Sequence, residues 1–181
     1  MMRRIDMFRP LCLSLLLALP VLATAAPVAA GGITVTYVAP ESFRDREFRQ
    51  AHSRASVLAE FDETFGQLAA RFLPEGQDLA VEVLDIDLAG EFEPWNFAYR
   101  DVRILRDTTP PRIRLRYTLL EAGQVLAQEE VRLSDLNYLS WHGGRSSTER
   151  FAYDKRLLED WFRKTFATAP AGRSRPAGPK S

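Results

Sequence analysis

The chain has 181 residues, 24 basic and 24 acidic side chains, a formal net charge of zero and one cysteine, Cys12. One cysteine excludes a disulfide framework, CxxC redox chemistry and cysteine-based metal sites. The charge balance makes the chain a poor match for nucleic acid, whose binding rests on phosphate neutralisation by a basic face.

Arg3, Arg4 and Arg9 precede an apolar run over residues 11–22, broken by Ser14 and Pro20, and small residues follow through Ala30. That order is the layout of a cleavable secretory signal peptide over residues 1–30. The run is shorter than the roughly 20 apolar residues a membrane span needs. Two cleavage sites fit a small-x-small rule: Ala23-Thr24-Ala25, which leaves Ala26 first, and Val28-Ala29-Ala30, which leaves Gly31 first. Met7 is an alternative start, because Arg9 alone supplies a charged n-region, and Ile5-Asp6 is a poor continuation of a twin-arginine signal. Cys12 leaves with the leader. A periplasmic destination is expected, with an extracellular one as the alternative and no transmembrane segment in the mature chain. From Ala167 onward the chain is Ala, Pro, Gly, Ser and the basic residues Arg173, Arg175 and Lys180, which reads as a flexible basic tail over 167–181. Between residue 25 and that tail lie 18 basic and 23 acidic side chains, a net charge of −5. Residues 31–166 are the right length for one domain with its own core.

Residues 33–38 (ITVTYV) alternate and are β-branched, a strand stopped by Pro40. Residues 41–53 are polar, broken by Phe43 and Phe48, and read as a loop. A helix is expected over 54–73, because Val57, Leu58, Phe61, Phe65, Leu68 and Phe72 form one stripe on a 3.6-residue period and Pro74 and Gly76 stop it. Residues 79–88 make a second strand whose phase slips. Leu79, Val81 and Val83 share one face and Leu84, Ile86 and Leu88 the other, which calls for a bulge near Val83-Leu84 or a strand covered on both faces. Residues 89–99 form an aromatic connection, and 102–105 a short strand.

Residues 112–120 and 124–133 form the clearest hairpin. Ile113, Leu115, Tyr117 and Leu119 alternate with Arg112, Arg114, Arg116 and Thr118, and Gly123 supplies positive φ in the turn Glu121-Ala122-Gly123-Gln124. Glu129 shares the phase of Val125, Ala127, Val131 and Leu133. Either it faces inward with a partner, or Glu129-Glu130 marks a bulge or an edge, which is the simpler reading. Ser146 and Glu149 have capping-box spacing ahead of a last helix whose buried face is Leu157, Leu158, Trp161, Phe162 and Phe166. Glu159–Arg163 and Asp160–Lys164 are i,i+4 pairs on its wet face. The expected fold is α+β: a single domain with one mixed sheet of about five strands, β-α-β-β-β-β-α, and two helices packed on one face.

The stretches Asp85-Ile86-Asp87-Leu88-Ala89-Gly90-Glu91, Pro111-Arg112-Ile113, Leu133-Ser134-Asp135 with Tyr138-Leu139, and Tyr153-Asp154-Lys155 carry a family resemblance. The chain resembles the exported bacterial family of domain of unknown function 3016 over roughly residues 33–166. The resemblance implies an exported, Gram-negative periplasmic protein. It supplies no activity and no catalytic residues.

Three segments are candidate sites. Asp85, Asp87, Glu91 and Glu93 place carboxylates close together, and hard cations such as calcium take several oxygen ligands. The simpler reading is a charge ladder between Asp85 and Asp87 and the arginines Arg112, Arg114 and Arg116 of a neighbouring strand. Phe92, Trp95, Phe97 and Tyr99 are suited to stacking on sugar rings, although such residues more often close one end of a core. The loop from Trp141 through His142, two glycines and Arg145 to Ser147 reads as an anion pocket or as a plain turn with a helix cap. His52 lies far from His142 in sequence, and no GxSxG or SxxK motif accompanies them.

These features favour a non-enzymatic, partner-binding or accessory module of the cell envelope, with an envelope protein or glycan as partner and no cofactor. The expected contact surface comprises Trp95, Phe97, Arg112, Arg114, Arg116, His142 and Arg145. The alternatives are a carboxylate- or metal-dependent hydrolase at Asp85, Asp87 and Glu91, and a glycan-binding module through Trp95 and Phe97.

Overall fold

The computed structural model describes residues 32–98, 100–143 and 147–167. The leader with both cleavage sites, Tyr99, the segment Gly144-Arg145-Ser146 and the tail beyond Ala167 lie outside the described residues. In chain order the elements are β1 (Ile33–Tyr37), α1 (Ala51–Phe72), β2 (Gln77–Asp87), β3 (Glu91–Phe92), β4 (Arg103–Ile104), β5 (Arg112–Glu121), β6 (Gln124–Ser134) and α2 (Ala152–Thr165).

Four strands form one mixed sheet in the order β1-β2-β5-β6. β1 and β2 run parallel across the α1 crossover, and the other neighbours are antiparallel. The fifth expected strand leaves this sheet. β4 pairs instead with β3 in a separate two-stranded ribbon, because Gly90, at φ 76°, turns the chain away at the end of β2. The bulge in β2 is present: the register to β5 shifts between Val83 and Asp85, leaving Leu84 extra. Leu79, Val81 and Val83 are therefore buried before the bulge and Ile86 after it, while Asp85 and Asp87 turn to the opposite face. The β5–β6 turn places Ala122 at φ 49° and Gly123 at φ 78°, two consecutive left-handed residues, as a two-residue hairpin turn of type I′ requires.

Both helices cover one face. Val57, Phe61, Phe65 and Leu68 of α1 and Leu158, Trp161 and Phe162 of α2 share one core with Val81, Val83, Ile113 and Leu115. Aromatic rings dominate the seam, with Phe65–Phe162 centroids 6.2 Å apart and Tyr117–Trp161 5.6 Å apart, edge to face in the second pair. Residues 41–53 are more regular than a loop. Two 3₁₀ turns, Pro40–Ser42 and Arg46–Phe48, precede α1, which starts at Ala51. Phe43 and Phe48 pack edge to face at 5.0 Å and are buried, so the apolar pair pulls the polar segment onto the core.

α2 starts later than the capping-box spacing implies. Phe151 occupies its N-cap in the left-handed conformation, φ 59°, with its ring 6.0 Å from that of Phe61. Packing of this ring overrides the local cap. The Glu149 carboxylate meets Lys155 at 2.7 Å, and Ser146 lies outside the described residues. On the wet face, Arg163 pairs with Asp160 one turn back, while Glu159 is held by Arg71 of α1 at 2.9 Å.

Phe162 is fully buried among Phe65, Trp161 and Phe166. Phe162→Ala is expected to cost about 3–5 kcal/mol, seen as a lower urea midpoint with an unchanged slope.

Candidate functional site

At the Asp87 end of the sheet the chain makes a sharp bend through Leu88, Ala89 and Gly90, and four segments fix it. The Asp45 carboxylate accepts the Leu88 N–H at 3.3 Å. Asp154, on α2, accepts the Ala89 N–H at 3.0 Å. The Gly90 N–H donates to the Thr109 carbonyl at 2.9 Å, and the Gly90 carbonyl accepts from Arg103 at 2.7 Å. A Cβ at position 90 would lie 2.6 Å from the Ile104 carbonyl oxygen, so both the positive φ and the close approach of β4 require glycine. Arg103 also forks onto Asp45 with bonds of 2.8 and 2.9 Å, and Asp45 takes a further N–H from Glu47 at 2.8 Å. Such a bidentate pair is stronger and more directional than a single ionic contact.

Beside this bend lies an arginine-rich groove. One recess, about 400 Å³, is bounded by Arg44, Arg46, Arg49, Phe92, Thr109 and Arg112 among others. A second, about 410 Å³, is bounded by Arg44, Asp85, Arg112, Arg114, Arg132 and Ser134 among others. Phe92 carries the Arg46 and Arg103 guanidinium groups over its ring, each 4.8 Å from the centroid, so the groove wall mixes cation and aromatic surface.

The charge ladder expected between β2 and β5 is present in register. Asp87 faces Arg112, Asp85 faces Arg114 and Glu82 faces Arg116. Arg112 bonds Asp87 at 3.3 Å, and Arg116 bonds Glu82 at 2.8 Å and Glu130 at 3.2 Å. Bonds to Glu130 and Glu82 hold the Arg116 guanidinium more firmly charged than usual. Asp85 accepts the backbone N–H of Arg44 at 2.8 Å. Burial raises the Asp87 carboxyl above its ordinary range, against the lowering pull of Arg112 and Arg44.

The other carboxylates do not join Asp85 and Asp87. Glu91 is exposed on the ribbon, and Glu93 is buried against Arg106 at 2.6 Å. Among the described residues, no group of three or more His, Cys, Asp or Glu side chains is gathered where it could hold a metal ion.

Trp95 and Phe97 do not close the core. They are 66% and 86% exposed, in the loop joining β3 to β4, because that end of the core is already sealed by Ala89, Tyr138, Tyr153 and Trp141. Glu129 lies on an edge strand and is exposed, opposite Tyr117, whose hydroxyl pKa is raised by burial and then by the Glu129 charge and hydrogen bond. The β6 bulge sits at Leu126 rather than at Glu129-Glu130. His52 and His142 are both exposed, and Arg145 lies outside the described residues.

Sequence reasoning missed Asp45, Arg103, Asp154 and Arg132. Asp154 carried a readable signal, since it stands four residues before Leu158 in the phase of the buried stripe. Asp45 sits between Phe43 and Phe48, whose burial takes it inside.

A family model described as "Protein of unknown function (DUF3016)" matches residues 31–164. No curated protein and no solved structure matches this chain.

Burial pushes the Asp154 carboxyl up to about 7, against the pull of the Ala89 N–H and of the Arg103 charge. Because the folded value lies above the unfolded one, the stability linked to this group is full below about pH 4 and is lost as pH rises toward 7. Asp154→Asn removes that slope. Thermal melts from pH 4 to 8 should show the parent losing stability relative to the variant, by at most about 4 kcal/mol, with no further divergence above pH 7. Parallel profiles would mean that folding leaves the Asp154 carboxyl at its ordinary value.

Proposed function

Because this chain belongs to the DUF3016 family of proteins of unknown function, we infer its role from its own surface, and we propose an exported, non-enzymatic binding module of the cell envelope. The leader layout of residues 1–30 supports export to the periplasm. No helix among the described residues is long and apolar enough to cross a membrane.

The observation that carries the binding reading is the contrast at the Asp87 end of the sheet. The carboxylates a hydrolase would use do not converge. Asp87 is held by Arg112 and Asp85 by the Arg44 backbone, while Glu91 stands apart, exposed on the ribbon. Close by in the chain, two large aromatic side chains stand in solvent at Trp95 and Phe97. Large exposed aromatics are the usual makings of a recognition surface, where each ring supplies contact area at little cost in rotamer freedom. The same exposure favours a second reading, stacking of Trp95 and Phe97 on the sugar rings of an envelope glycan.

A photoreactive residue placed at position 95 or 97 in cells is expected to give one discrete crosslinked species in the envelope fraction. The same residue at Glu75, an exposed turn at the opposite end of β2, is expected to give none. Diffuse labelling from all three positions would defeat the proposal. A discrete adduct that is lost on glycan digestion would select the sugar-binding reading.

A further inference from the structure

The two recesses at the Asp87 end share Arg44, Asp87 and Arg112, so they form one continuous groove. Seven arginines line it against four carboxylates. This local excess of positive charge stands in a domain whose net charge is negative. Of the carboxylates, all but Glu91 are already engaged, Asp45 and Asp87 by arginines of the groove itself. Asp45 is closed by Arg103 and two backbone N–H groups, Asp85 holds the Arg44 backbone, and Asp87 is shared between Arg112 at 3.3 Å and Arg44 at 3.8 Å.

Within the groove one pair runs against ordinary sheet chemistry. Arg114 on β5 stands directly opposite Arg132 on β6, and both line the same recess. Like charges directly opposite each other weaken a sheet. Arg132 makes no ion pair among the described residues, and Arg114 reaches only Glu130, at 3.7 Å, a carboxylate that Arg116 holds more closely. Two arginines opposite each other in register and lining one recess offer a clamp, since each planar fork matches the oxygens of a phosphate. Arg112 lies two residues before Arg114 on the same face, about 7 Å along the strand. That separation suits neighbouring anionic groups of one molecule.

The geometry points to a binding site for a ligand carrying two or more phosphate groups, one held by Arg114 and Arg132 and the next by Arg112 and Arg44. The inference rests on reading this end of the sheet as a recognition surface. The same phosphate chemistry is found in lipid headgroups and in soluble phosphorylated sugars.

The test titrates the purified protein with inorganic pyrophosphate by calorimetry at low and at physiological salt. Saturable binding with one ligand per chain is expected, weakened by salt. Arg114→Gln with Arg132→Gln should weaken it about tenfold or more, the loss of charge-assisted hydrogen bonds. Arg163→Gln, the same change of charge on the exposed face of α2, should leave it within about twofold. Arg132→Gln alone should raise the melting temperature of the free protein by about 1–3 °C while weakening pyrophosphate, an opposition that a merely structural arginine would not produce. Co-sedimentation with phosphatidylcholine vesicles holding one-fifth cardiolipin, whose headgroup carries two phosphates, would select a headgroup, and pyrophosphate binding without co-sedimentation a soluble ligand. No saturable heat, or an equal loss in Arg163→Gln, would overturn the site. A discrete crosslink at position 95 or 97 in that case would leave the wider binding role standing.

Discussion

The Asp45–Arg103 pair is the contact on which the architecture at the Asp87 end of the sheet depends. It joins the segment before α1 to the β3–β4 ribbon, and through its remaining bonds it fixes the Leu88 N–H and the Gly90 carbonyl. Its side chains are only 5% and 16% exposed, so both charges lose most of their water. A buried ion pair is weak evidence of net stabilisation, because desolvation offsets much of the attraction. Its effect here is positional. With N–H donors from Arg103, Glu47 and Leu88 converging on one carboxylate, the pair specifies a single path for the chain at the bend. Removing one partner would strand the other charge at a cost of about 3–5 kcal/mol. Asp154 does the same for Ala89 from the other side, reaching across from α2. The groove has rigid walls because backbone from four segments is tied at this one point.

The same bonds give physical meaning to the stretch from Asp85 to Glu91. Asp85 and Asp87 occupy the wet face because Leu84 bulges, Leu88 resumes the buried phase, Ala89 packs under Tyr138 and Tyr153, and Gly90 passes close under Ile104. Each residue type is set by its own local constraint. The motif is thus the bend between sheet and ribbon, in which Asp87 meets Arg112 and Arg44 and Asp85 holds the Arg44 backbone.

Much of the main sheet was legible because strand phase is a two-valued quantity. The switch from odd to even apolar positions in β2 required one extra residue, and Leu84 is that residue. The hairpin held a second such demand. A two-residue turn pairs Glu121 with Gln124, and unbroken pairing from there would set the buried Leu115 opposite Glu130. One inserted residue, Leu126, brings Leu115 to Val131 and Ile113 to Leu133 instead. The same insertion sets Arg132 opposite Arg114, so the groove's least usual contact follows from hairpin parity. What was not legible was long-range. The β3–β4 ribbon has two residue pairs and no periodicity to read, the start of α2 is decided by the Phe151 ring on Phe61, and Asp45 meets Arg103 across 58 positions of chain.

Charge placement obeys the same register. Glu82, Asp87 and Glu130 of the sheet are matched by arginines, so negative charge is largely cancelled where the ladder runs. At the groove the matching fails in one direction only, leaving cations in excess over a concave surface. A concave wall with an excess of one sign concentrates field lines and draws counter-charges toward it, whereas the same residues spread over a convex face would be screened within about 8–10 Å. A sheet optimised for stability alone would set a carboxylate opposite Arg114 on both sides, as it sets Glu82 and Glu130 on either side of Arg116. Arg132 in that place weakens the free protein, and the cost becomes intelligible when an anion completes the row.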